Sequence, residues 1–292
     1  MIELSTQRDC RYAYRELLQG YTYIEEKDLY IKHLREADLG FIDGLNKKCI
    51  EECEKEGLLD IQGKIAFSKK HDIWDEALYQ KKIFLEEKIK KSYEHARTLG
   101  QKSSLKFIES EIKPAEEEFK KAAEELEAIL EPVSDTLCTK RVNEKYVYYS
   151  LFKDKECRTP FYTQEQFDNL SFLEMNQLVK EYNYHSSKFT ELNINKISVC
   201  NFFLSAFFMS EDDPVKFYGC NILELSMYQL NLFSRGKFNK TVLSNGKEPP
   251  DHLYGEEEEN GLYKLVNWYN TAYGMLEAER KSQSSHKRMY NH

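Results

Sequence analysis

Cys49 and Cys53 stand four residues apart in a stretch with helical spacing, which would put both thiols on one helix face as two ligands for zinc. The chain has seven cysteines, at 10, 49, 53, 138, 157, 200 and 220, an odd number scattered along its length rather than a compact disulfide framework. No second pair and no histidine at finger spacing completes a tetrahedral set. The reading is therefore buried or idle thiols in a reducing compartment, with no metal site. Glu211, Asp212 and Asp213 precede Pro214 and could offer oxygen ligands to a divalent cation, but they equally suit a helix cap and a solvated turn. Glu256 to Glu259 open a helix, where the positive end of the macrodipole explains them without calcium. Arg8, Arg11 and Arg15, with Tyr12 and Tyr14, form a cationic and aromatic stripe. It could hold phosphates and stack on bases, or dock on an acidic partner as a salt-bridging surface, which the acidic chain favours.

Loops and motifs of known chemistry are missing. The sequence holds neither GxGxxG nor GxxxxGK[ST], and the HExxH, HxE with PCxxC, and GxSxG patterns are also absent. The seven histidines include no helical pair at i, i+4. No catalytic, cofactor-binding or metal residue is assigned, and the expectation is a protein that is not an enzyme and carries no cofactor.

The chain has 292 residues, with 42 basic and 50 acidic side chains and a formal charge of -8, which excludes a basic nucleic-acid coat. Hydrophobic residues make up 41%, including 20 Tyr and 17 Phe, enough for a large core. With 12 Gly and 6 Pro, turn residues are too few for an all-β sandwich, so the fold class expected is mainly α. The N-terminus lacks the basic and apolar regions of a secretory signal. The longest apolar run, Val199 to Met209, is about half a bilayer span. The expected location is cytoplasmic or virion-associated, without membrane insertion.

Local signals outline the elements. Ser5 or Thr6 can cap a helix to Leu18 that ends at Gly20, and Tyr21 to Ile24 with Leu29 to His33 read as a small hairpin, the only convincing β in the chain. Ala37 to Glu56 is helical, and a loose segment with Gly63 follows. Leu78, Lys82, Leu85, Ile89, Ser92, Ala96 and Leu99 step by four and three. So do Leu105, Ile108, Ile112, Ala115, Phe119, Ala122, Leu126 and Ile129, which is a heptad seam. The short LGQKSSL between them forces the helices antiparallel, pairing within one chain as a projecting arm or between chains as a dimerisation device, with Pro114 kinking the second helix. The tip of the pair supplies Gln101, Lys102, Ser103 and Ser104 as partner-binding residues beside Arg8, Arg11 and Arg15. Capping boxes start helices at Thr163 with Gln166 and at Ser171 with Glu174. SVCNFFLSAFFM reads as one buried central helix, Asn221 as the cap of the next, and a last helix begins near Glu256. The domains expected are 1–71, a helical region with the hairpin; 72–133, the coiled-coil arm; and 134–292, an all-α domain.

In order, RYAYRELLQGY, a hairpin ending LYIKHL, a Glu/Lys helical hairpin with KSSLKF, then VNEKYVYYSLFKD and LVNWYN resemble uncharacterised virion or tail and baseplate assembly proteins of large contractile-tailed bacteriophages. The resemblance spans most of the chain. It implies a structural component or assembly factor and supplies no catalytic residues. The function expected is thus a noncatalytic structural or assembly protein whose partners are other such proteins or further copies of this chain. The alternative is a nucleic-acid-associated regulator using the N-terminal Arg/Tyr helix, a partner the net charge disfavours.

Overall fold

The computed structural model describes residues 2–96, 106–254 and 261–289. It is mainly helical with one small antiparallel sheet. The chain divides into two compact units, residues 1–43 with 143–292, and residues 44–142. This differs from three consecutive regions, because the N-terminal helix and hairpin build their cores with residues from the second half of the sequence.

In the first unit, α1 (Gln7–Gln19) starts at Thr6, whose hydroxyl accepts the Asp9 N–H while the Asp9 carboxylate accepts the Thr6 N–H. Gly20 ends it at φ 76, a left-handed conformation that other residues reach with strain. β1 (Tyr21–Ile24) and β2 (Leu29–Lys32) pair antiparallel, with Tyr21 opposite Lys32 and Ile24 opposite Leu29. Alternation turns Thr22, Ile24, Leu29 and Ile31 inward. α2 (Glu36–Lys55) then carries the chain into the second unit.

There, α3 (Ile61–Lys70) occupies the segment that the sequence left loose. Asp60 accepts the Gly63 N–H at its start, and the Asp135 carboxylate accepts the Ile61 N–H at 2.8 Å. α4 (Glu76–Ala96) packs antiparallel on α5 (Lys113–Leu130) within the same chain. Leu85, Ile112, Ala115, Ala122 and Leu126 are the buried seam positions, four of them on the α5 side. Lys82, an apparent flaw in the seam, holds its ammonium 5.9 Å from the Phe119 ring centre. Pro114 has no N–H to donate, and the helix widens into a π turn at Ile108–Ile112 just before it, with Lys113 N–H bonded to the Ile108 carbonyl. The expected kink takes this form because the wider turn relieves the crowding a proline imposes.

α6 (Ser134–Ser150) returns the chain to the first unit, where β3 (Leu151–Phe152) pairs antiparallel with β2, Leu151 opposite Ile31. The hairpin is therefore part of a three-stranded sheet; two residues are too short a run to show a strand period. α7 (Gln164–Asp168) and α8 (Phe172–Ser186) begin at the two expected capping boxes. Their Phe167 and Leu178 cover the sheet with Ile24, Leu29, Ile31, Val147 and Leu151.

The expected central helix is two helices. α9 (Glu191–Ser198) and α10 (Asn201–Met209) are broken at Cys200, which is extended and starts α10, and the helical stretch Phe172–Ser198 meets Asn201–Met209 at 76°. Residues 193–198 are all buried, whereas α10 buries Phe203, Leu204 and Phe207 and exposes Met209. No single helix among the described residues is long and apolar enough to cross a membrane. α11 (Pro214–Tyr218) is capped by Asp213. The Asn221 box closes only a short 3-10 turn, and α12 (Met227–Ser244) starts at a second box, Ser226 with Gln229. α13 (Gly261–Met289) completes the unit, with Leu265, Val266, Tyr269, Ala272 and Leu276 in the core.

Asn193, Lys196 and Ser198 of α9 are matched from far along the chain. Asn193 donates to the Ile2 carbonyl at 2.9 Å and accepts the Leu4 N–H at 3.2 Å. Lys196, 3% exposed, reaches Glu3 at 2.8 Å and holds that carboxyl below its usual range. Asn239 of α12 donates to the Ser198 carbonyl at 2.9 Å. The Phe207 ring lies on Gly236 of α12, so closely that a β-carbon there would come within 2.5 Å of it.

His33 is buried against Phe189 and Tyr228, with Nε2 3.1 Å from the Thr22 hydroxyl, which donates to Glu16 at 2.8 Å. The Thr22 proton is committed to Glu16, so Nε2 carries the hydrogen and donates. Burial, then the nearby Lys188 charge, depresses its pKa to about 3.

Two outcomes are expected. Gly236→Ala lowers the urea midpoint, since overpacking of about 1–3 kcal/mol exceeds a helix-propensity gain of about 1 kcal/mol, and adding Phe207→Leu recovers part of the loss. For His33, the unfolded chain takes up a proton near pH 6.5 that the folded chain refuses until about pH 3. Stability therefore falls as pH drops through that window, by up to about 1.4 kcal/mol per unit. Urea midpoints at about pH 7, 6 and 5, where carboxylates stay ionised, should fall less steeply in His33→Gln.

Candidate functional site

α1 owes its orientation to Cys10, Ala13, Tyr14 and Leu17, which are buried together and turn Arg8, Arg11 and Arg15 to the surface. Tyr14, counted with the stripe in the sequence, belongs to the core: its ring lies 5.4 Å from Phe202 and 5.9 Å from Phe203, and burial pushes its phenol up to about 12. Tyr12 remains on the face at 51% exposure. The Arg8 and Arg15 guanidiniums sit 5.7 and 5.8 Å from its ring centre, and Arg11 sits 4.9 Å from that of Phe202. Arg8 also donates to the Tyr12 hydroxyl at 3.4 Å and draws that phenol below its ordinary value. Asp9, the neighbouring acid, is committed to the cap of α1. Among the described residues no carboxylate forms an ion pair with Arg8, Arg11 or Arg15; the ion pairs near this helix use Glu3 with Lys196 and Glu16 with Lys188. The three guanidiniums are thus laid on rings, with their charge left for a partner.

Gln101, Lys102, Ser103 and Ser104, the other expected contact residues, lie outside the described residues, as do Glu256 to Glu259. The carboxylates at 211–213 are each engaged. Lys216 pairs with Glu211, Lys240 lies 3.0 Å from Asp212, and Asp213 accepts the Val215 N–H at 2.9 Å. This is the cap-and-turn reading of that run.

In the second unit, Cys49 and Cys53 project from one face of α2 as their spacing requires, and the first turns of α6 bring Cys138 against them. Cys138 Sγ lies 2.8 Å from Cys49 Sγ and 3.7 Å from Cys53 Sγ, and all three sulfur atoms fall within 4.8 Å of one another. Exposures are 8%, 2% and 1% for Cys49, Cys53 and Cys138, under a cover of Ile50, Leu58 and Leu137. Arg141, one turn beyond Cys138, places a guanidinium nitrogen 3.8 Å from Cys49 Sγ. Burial and then the two neighbouring thiols push the Cys138 thiol up to about 12. The pair seen in the sequence is therefore a trio. Its third member is 85 residues from Cys53, and no local spacing announces it; the sole sequence signal is an odd cysteine next to a helix cap.

Protein-family models, curated proteins and solved structures were compared with the chain, and none matches.

Proposed function

We propose that the chain is a noncatalytic structural or assembly protein that docks through Arg8, Arg11 and Arg15 on an acidic protein surface. The observation that carries this reading is the exposed face of α1, with three guanidiniums resting on Tyr12 and Phe202 and without carboxylate partners among the described residues, in a chain of net charge -8. Each planar guanidinium can take a carboxylate through two parallel hydrogen bonds, and the ring beneath limits the side-chain freedom that binding would remove. Arginine and tyrosine are also residue types on which binding energy concentrates. The ordered likeness from RYAYRELLQGY to LVNWYN supports a finer reading, a virion component or an assembly factor for the tail or baseplate of a contractile-tailed bacteriophage. The pairing of α4 with α5 inside one chain suits a preformed rod in such an assembly.

The test compares proteins retained from a lysate of the native source by the wild-type chain, by Arg8→Glu/Arg11→Glu/Arg15→Glu, and by a control reversing Lys113, Lys120 and Lys121 on α5. An acidic protein held by wild type and control, lost from the α1 variant and released by moderate salt, is the expected result. Equal retention by all three overturns the docking face. Retention that depends on the arginines but disappears with nuclease treatment assigns the face to nucleic acid instead.

A further inference from the structure

We propose that Cys49, Cys53 and Cys138 form a trithiolate site for a thiophilic divalent metal ion of the zinc class, with Arg141 balancing its surplus charge.

The geometry sets the scale. A zinc–sulfur bond of about 2.3 Å in a tetrahedral site places sulfur atoms about 3.8 Å apart. The Cys53–Cys138 separation of 3.7 Å already meets this, Cys49–Cys138 at 2.8 Å must open by about 1 Å, and the third separation is at most 4.8 Å. Rotamer adjustments of two side chains suffice, because the thiols on α2 share a face and the third comes from a single helix across from it. A disulfide could consume only two of the three sulfur atoms and would leave the last buried beside it, whereas one ion engages all three.

Charge selects the ion class. Three thiolates around a divalent ion carry a net charge of -1, which one guanidinium neutralises. A monovalent ion would leave the group negative under an apolar cover. Arg141 lies where an outer hydrogen-bond donor to a metal-bound sulfur is needed, 3.8 Å from Cys49 Sγ. Asn46, one turn before Cys49 in the same helix stripe, has an Oδ1 shut from solvent and without a hydrogen-bond partner among the described residues. An ion here would staple α2 to the start of α6 and so fix both ends of the segment that carries α3, α4 and α5. This inference is independent of the arginine face.

Cadmium is the probe, titrated into the full chain with all thiols kept reduced by a phosphine, and zinc is the competitor. The expected result is one cadmium per chain, a thiolate-to-metal charge-transfer band, release of that band by zinc, and metal-dependent protection of Cys49, Cys53 and Cys138 from alkylation while the half-buried Cys157 and Cys220 still react. Cys138→Ser should weaken binding at least about a hundredfold, Arg141→Gln roughly tenfold with unchanged stoichiometry, and Cys157→Ser not at all. Absence of the band in the reduced chain, an undiminished band in Cys138→Ser, or protection of other cysteines overturns the site. If Cys138→Ser does not fold, the wild-type protection pattern decides alone.

Discussion

The first unit depends on the burial of a polar helix. α9 places Asn193, Asn195, Lys196 and Ser198 at the centre of a unit otherwise filled by aromatic and aliphatic side chains. Buried amides without partners would each cost on the order of 1–3 kcal/mol, and an unpaired ammonium far more. For Asn193, Lys196 and Ser198 the partners come from the segment before α1, from Ser187 and from α12, so the bonds that satisfy them also fix where those segments lie; the Asn195 Oδ1 is buried without a partner among the described residues. An apolar helix of the same size could fill the space without specifying that arrangement.

Around this helix the packing is aromatic and close. Phe203, Phe207, Phe217 and Phe233 meet at 5.2–6.2 Å, mostly edge to face or tilted, and Tyr14 brings α1 into the same group. The bend between α9 and α10 makes this possible, because one straight helix could not present Asn193 to the N-terminal segment and Phe207 to Gly236 at once. Gly236 is the complement of that bend, a helix position where the ring takes the space of a side chain.

What the sequence reveals is what local chemistry decides. Thr163 with Gln166 and Ser171 with Glu174 start helices because a side chain three residues away satisfies the first free N–H groups. The α4–α5 seam is legible because its period repeats, and among the described residues its positions are those the structure covers. Tyr14 could have been assigned to the core from the sequence, as it falls four residues after Cys10 and three before Leu17. Other features depend on distance. β3 has meaning only beside β2, Cys138 only beside α2, and the polar residues of α9 only once Glu3 and Asn239 arrive. The arginine stripe was visible as a spacing, but its freedom from carboxylates required knowing that Asp9 closes a cap.

The division of the chain has a consequence in time. Residues 44–142 are contiguous, so every contact within that unit can form as soon as its last helix is made. Residues 1–43 are synthesised first yet find their partners after residue 143, and Ile2 and Glu3 reach theirs only at Asn193 and Lys196. Residues 1–43 can pair their own hairpin early, but their core contacts wait for the segment after residue 143. The first unit therefore carries the longer sequence separations between its contacts, the feature that slows folding in single domains.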